Sequence, residues 1–400
     1  MAVSLRTAHA EPGRSALPEP DADARAHSER VRAFVVGAID RAGGWIPLAE
    51  YIRIALYAPG LGYYAAGARK LGPAGDFTTA PEMTPLYGAA LAAQVAPILG
   101  AGSGREIVEP GAGSGRLAVD LVRALDGLGA PWSRYAIIET SPDLRERQRI
   151  LVERELSPPS AARFVWLDRP PERIDGAIVM NEVLDAIPPY VVARRARAWF
   201  ERGVVVREDG GFAIDDRPLP PGRLANLAGA RFPSDGDYVS EINPAAEALV
   251  EDLGRRLSSG AMLIVDYGFP RGEFYHPQRS EGTLMAHYRH RATSDPFVWP
   301  GLADLTAHVD FTAVAEAGER AGLGVAGYAT QAAFLLGCGI LDRLAAVGDP
   351  SSAAYLREAS AVQKLLSPSE MGELFKVIAL ERGEAIAWPA YARGDASHRL

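Results

Sequence analysis

Apolar positions along this chain change period several times, and each change predicts an element. From about Ser28, Val31, Phe34, Val35 and Ile39 recur at helical spacing and stop at Gly43-Gly44. A second helix is expected after Pro47, with Tyr51, Ile54, Ala55 and Leu56 on its inner face. A Gly/Pro/Tyr loop over 57–64 follows, then a polar stretch over 75–84 and a helix over 85–97. From Ile107 the pattern becomes short continuous apolar runs alternating with amphipathic stretches. Strands are predicted at 107–109, 135–139, 164–166, 176–180 and 261–265, with helices between them. Runs of that kind are strands buried on both faces, and the strand–helix repeat implies a parallel sheet wound right-handedly. Residues 191–240 break the repeat with β-like runs, the turn Asp209-Gly210-Gly211 and Pro218-Leu219-Pro220-Pro221, and predict an inserted β-rich lid. Helices over 332–346 and 352–365 and a strand over 375–380 close the domain. The division expected is a disordered tail at 1–27, a helical segment at 28–100, a core at 101–190 and 241–385, and the lid at 191–240.

Composition narrows the class. Four hundred residues that are 48% hydrophobic and 23% charged describe a globular chain with ample core. A formal charge of −8 disfavours nucleic acid, which asks for a clustered basic footprint. No apolar run has the length of a membrane span, and the N-terminus lacks the apolar core of a signal peptide. The acidic residues Glu11, Glu19, Asp21 and Asp23 argue against a mitochondrial leader, so a cytoplasmic protein is expected. Cys338 stands in an apolar setting and reads as a buried, inert thiol. The loop expected over 272–300 carries His276, His287 and His290, but without metal-ligand spacing, so no metal is expected.

Candidate chemistry gathers at the strand ends. Glu109-Pro110-Gly111-Ala112-Gly113-Ser114-Gly115 lies between the first strand and its helix. Glycines 111, 113 and 115 let backbone approach a ligand closely, and the helix start aims free N–H groups at it. A dinucleotide fingerprint has its third glycine one residue later, which sets nicotinamide chemistry aside. Glu139 ends the second strand, where a carboxylate accepts from ribose hydroxyls, or else caps the helix after Ser141-Pro142. Asp168, near the end of the third strand, reads either as an adenine contact or as ordinary turn chemistry. Asn181, Glu182 and Asp185 follow the fourth strand, where a helix cap and a site are both readings. Glu82, Asp266 and His308 supply further titratable groups.

These peptides together resemble the MidA-type S-adenosylmethionine-dependent methyltransferases, whose mitochondrial members assist assembly of respiratory complex I. Matching segments run from about 30 to 382 and include Gly75–Glu82, the glycine turn, Glu139-Thr140-Ser141-Pro142, Asn181–Pro188, Glu241-Ile242-Asn243-Pro244, Asp266-Tyr267-Gly268, Gly282-Thr283-Leu284, Asp304–Phe311 and Met371–Val377. The family often has G-P-G-R-G where this chain has Gly-Ala-Gly-Ser-Gly, and S-P-E where it has Ala80-Pro81-Glu82. The resemblance implies a Rossmann-like α/β methyltransferase fold with S-adenosylmethionine as cofactor. Glu109, Gly111, Gly113, Gly115, Glu139, Asp168 and Asn181 would hold the cofactor. Glu182, Asp185, Asn181, Glu82, Asp266 and His308 would serve the acceptor, an arginine on a protein such as a complex I subunit. Competing readings are a small-molecule O- or N-methyltransferase and an assembly factor that binds the cofactor without catalysis.

Overall fold

The computed structural model describes residues 17–65, 79–101, 104–383 and 386–400. Its centre is a sheet of seven long strands: β1 (Glu106–Pro110), β2 (Arg134–Ile138), β3 (Phe164–Leu167), β4 (Ile174–Asn181), β5 (Leu257–Phe269), β6 (Gly324–Thr330) and β7 (Phe375–Arg382). The spatial order is β6-β7-β5-β4-β1-β2-β3, and Val309–Asp310 adds a short parallel pairing at the end of β5. Five strands run parallel, β7 is antiparallel to β5, and β6 is antiparallel to β7. The five predicted parallel strands are all present. The fifth is far longer than its apolar run, because its last residues pair with β7 and with the 309–310 strand.

Both faces of the sheet are buried, which accounts for the unbroken apolar runs. One face packs Ile107, Tyr135, Val179 and Leu263 under helices Pro85–Ala101 and Arg116–Gly127. The other packs Val108, Ile178, Met180 and Ile264 under helices Pro244–Arg256 and Phe311–Arg320. Helix starts follow the strand ends. Ser141 caps Leu144 at 3.4 Å, with Pro142 next in the chain, and Asn243 caps Ala246 at 3.1 Å before Pro244.

The insertion and the N-terminal helices are one unit. Strands Tyr190–Arg195, Ala198–Val206, Phe212–Pro218 and Tyr238–Ile242 form a second sheet that also takes in Ile46–Pro47. Val191, Ala193, Val204 and Phe212 of that sheet share a core with Val35, Ile39, Leu48, Tyr51 and Ile52 of helices Ala22–Arg41 and Leu48–Tyr57. The first helix starts at Ala22, capped by Asp21, ahead of the expected Ser28. The stretch expected as a long loop over 272–300 holds strands Met285–Tyr288 and Arg291–Thr293, paired with Asp304–Thr306. Short strands interrupted by histidine and arginine carry too weak a period-2 signal to read in advance. Among the described residues, no helix is long and apolar enough to cross a membrane.

Candidate methyltransferase site

Strand order reverses beside β1: the chain winds outward through β2 and β3, then returns to place β4 on the other side of β1. Crevices for ligands open beyond the strand ends at such a switch point. The glycine turn follows β1, Glu139 follows β2, the 182–187 turn follows β4, and Asp266 lies near the end of β5.

The glycine turn has the geometry its composition demands. Gly111, Gly113 and Gly115 take φ of +65°, +53° and +84°, a region costly for residues with a Cβ. Gly111 N–H donates to Ile138 C=O at 3.0 Å, tying the turn to β2, and Gly115 caps helix Arg116–Gly127. Glu109 points into the sheet, where Tyr135 hydroxyl donates to it at 2.6 Å; burial raises its carboxyl to about 7. Glu139 is buried at the end of β2 and accepts from Ser141 N–H at 2.8 Å. Burial raises its pKa, and that bond, with Gln148, opposes the rise.

Gln148 was not foreseen. Fully buried, it donates to Gly113 C=O at 2.8 Å and to Glu139 Oε2 at 3.4 Å, and accepts from Trp166 Nε1 at 2.9 Å. One amide thereby joins the glycine turn, Glu139 and β3. The available signal was a lone uncharged polar residue four positions before Val152 on the helix's inner stripe. Asp168 lies just past β3, its side chain 84% exposed and paired with Arg145, which also donates to Glu139 C=O. Glu82 accepts from Ser114 hydroxyl, which ties it to the glycine turn.

Beyond β4 and β5 the carboxylates crowd. Asn181 accepts from Tyr87 hydroxyl at 2.6 Å and donates to Glu182 Oε1 at 3.1 Å. Glu182 sits at φ +53°, left-handed for a residue with a side chain, its N–H bonded to Val265 C=O at 2.9 Å. Burial, then the negative charge of Asp185, raises Glu182 to about 8. Asp266 is buried and accepts from Leu184 N–H at 2.9 Å, Asp185 N–H at 3.3 Å and Tyr267 N–H at 2.9 Å. One oxygen, Oδ2, thus holds the 182–185 turn, while Oδ1 takes the N–H of the next residue, Tyr267. Burial raises Asp185 and Asp266 alike, and the two repel each other.

Tyrosines and Asp304 complete this end and were likewise missed as site residues. Tyr57 hydroxyl donates to Ala186 C=O at 2.8 Å, and Tyr64 hydroxyl to both oxygens of buried Asp304 at 3.0 Å. His308 packs edge-on against Tyr267 at 5.3 Å, and its backbone N–H donates to Thr283 Oγ1 at 3.0 Å. Burial, then Arg279 and Lys376, pushes its imidazole down to about 3, which favours a neutral ring packed behind the site over a base. Gly75–Thr78 of the matching segment Gly75–Glu82 lie outside the described residues.

A glycine turn in left-handed geometry, with a buried carboxylate at the next strand end, fits a nucleoside carrying an amino-acid chain. The family described as "Putative S-adenosyl-L-methionine-dependent methyltransferase" matches residues 89–329. The chain belongs to this methyltransferase family. It is similar to the mitochondrial protein arginine methyltransferase NDUFAF7 of Mus musculus, 30% identical, the match covering 84% of this chain and 81% of that protein. The Homo sapiens NDUFAF7 is 28% identical over 88% and 83%. The methyltransferase also superimposes on the crystal structure of a superfamily member from Burkholderia thailandensis bound to S-adenosyl-homocysteine. That chain is 50% identical with a TM-score of 0.91, and the match covers 96% of this chain and 100% of that one. The cofactor is therefore S-adenosylmethionine. The curated relatives are mitochondrial proteins, which overturns the expectation of a cytoplasmic one. That expectation leaned on four acidic residues near the N-terminus, a weak sign of destination.

Proposed function

We propose that this methyltransferase modifies an arginine side chain of a protein, with Glu182 and Asp185 at the acceptor site. The observation that carries this reading is the crowding of Glu182, Asp185 and Asp266 with no arginine or lysine among the groups that act most on them. Buried carboxylates that raise one another lack a cation, and a guanidinium supplies one in planar, bidentate form. The NDUFAF7 relatives, named as protein arginine methyltransferases, support the same substrate class.

When bound, S-adenosylmethionine supplies an electrophilic methyl group on a sulfonium. Gly111, Gly113, Gly115 and Glu139 would hold it, with Gln148 fixing their spacing. Glu182 and Asp185 pair the guanidinium N–H groups, orient its plane and draw its positive charge away from the reacting nitrogen. Asp266 positions the turn that carries both. Held neutral, His308 packs behind Tyr267.

Calorimetric titration with S-adenosylmethionine, then with cofactor plus a panel of arginine peptides and intact respiratory complex I core subunits, tests the proposal. Mass spectrometry reads the products. Methylated arginine is the expected result. Cofactor binding with transfer only to small molecules would replace the protein arginine by a small acceptor on the same fold.

A further inference from the structure

Tyr57 closes helix Leu48–Tyr57 and is the point where the N-terminal unit reaches the 182–187 turn. Its hydroxyl end is fixed by Ala186 C=O. One side of its ring stacks on Tyr64, with centroids 5.5 Å apart and planes 23° from parallel. Tyr64 is in turn anchored by Asp304. Yet Tyr57 remains 39% exposed, so a residue held at its hydroxyl and stacked on one side is still accessible. The bond to Ala186 sets the hydroxyl end of the ring beside Asp185 in the chain, the stacked Tyr64 ties it to Asp304, and both carboxylates are among the charges that act on it.

We propose that the open face of Tyr57 is a platform on which the acceptor's planar cation stacks, making the site selective for a guanidinium over an ammonium group. This rests on the arginine reading above. Carboxylates alone pair with either cation. A guanidinium is flat and weakly hydrated, and it stacks on aromatic faces while its edges bond carboxylates; an ammonium is a compact, strongly hydrated charge. A flat ring beside a carboxylate cluster therefore discriminates by shape and hydration. Stacking also fixes the guanidinium plane, which the carboxylates at its edge leave free to tilt.

A strut role for Tyr57 predicts the opposite pattern of variants. A strut depends on the hydroxyl bond to Ala186, whereas a platform depends on the ring. The test uses the full chain saturated with S-adenosyl-homocysteine, titrated with n-propylguanidinium and n-butylammonium and followed by ligand-observed NMR. The expected result is that n-propylguanidinium binds about ten-fold tighter than n-butylammonium. Tyr57→Phe keeps most of that preference, and Tyr57→Leu removes it while leaving S-adenosyl-homocysteine affinity unchanged. An unchanged preference in Tyr57→Leu overturns the platform and leaves the arginine reading intact. Equal damage from Tyr57→Phe and Tyr57→Leu makes Tyr57 a strut, and parallel loss of S-adenosyl-homocysteine affinity makes it a cofactor wall; either overturns the proposal. No guanidinium binding by the unaltered protein overturns the platform and the arginine reading together.

Discussion

The two ends of the site are built on opposite electrostatic terms. At the cofactor end the polar groups satisfy one another: Glu109 takes Tyr135, Glu139 takes Ser141 N–H and Gln148, and Glu82 takes Ser114. At the proposed acceptor end burial raises all three carboxyls, and the charge of Asp185 raises both Glu182 and Asp266 further. The first end comes largely from one βαβα stretch, residues 106–155. The second draws on five separate segments, carrying Tyr57 and Tyr64, Tyr87, 181–185, 266–267 and 304. A preformed cradle and an unbalanced cluster suit their ligands differently. One binds through shape and hydrogen bonds, while the other waits for charge.

The largest test of this contrast is Glu182→Gln. Methyl transfer should fall by at least about a thousand-fold with cofactor affinity nearly intact, since electrostatic groups at the reacting centre commonly contribute that much. Single-turnover rates and calorimetry check both halves; equal loss of binding and rate would erase the division into two ends. Gly113→Val should do the reverse and abolish cofactor binding, because valine resists φ +53° and adds a Cβ where the backbone meets the ligand. Circular dichroism separates that loss from misfolding.

Gln148→Leu should weaken cofactor binding about ten-fold, as Gly113 C=O and Trp166 N–H lose their partner at about 1–3 kcal/mol for a buried group left unpaired. Rates at saturating cofactor should change little.

The acceptor end should also show in the pH dependence of stability. Glu182 is raised from an ordinary 4.5 to about 8, so its contribution is fully present below 4.5 and is lost as pH rises through about 8. The melting temperature of the cofactor-free protein should fall across that window, and Glu182→Gln should flatten the fall. Acceptor affinity should rise over the same window, because a cation binds the ionised carboxyl. The smallest effect belongs to Asp168→Asn. Exposed and paired only with Arg145, Asp168 should change stability by no more than about 0.5 kcal/mol and leave cofactor affinity as it was.

Much of the geometry at the proposed cofactor end was legible in advance for a physical reason. A glycine turn, a strand-end carboxylate and their helices are local patterns, and backbone sterics leave few residues able to make them. Glu109, Glu139 and the three glycines all lie at the ends of β1 and β2. Gln148 was harder to see because its importance lies in three partners from three elements, only one of them near in sequence. For Asp168 the two readings, adenine contact and turn chemistry, stayed open because a strand-end position does not say which way a side chain turns.

The sequence alone determined the parallel sheet, its strand–helix order and the existence of an insertion, since period and apolar runs express burial on two faces. Only the tertiary structure joined that insertion to the N-terminal helices through Ile46–Pro47 and carried Tyr57 and Tyr64 to the 182–187 turn and Asp304. It also decided that Asp266 holds a turn and that His308 stays neutral. Contacts between distant segments depend on where folding places them, and pKa values depend on what then surrounds each group, so neither is written in the local pattern.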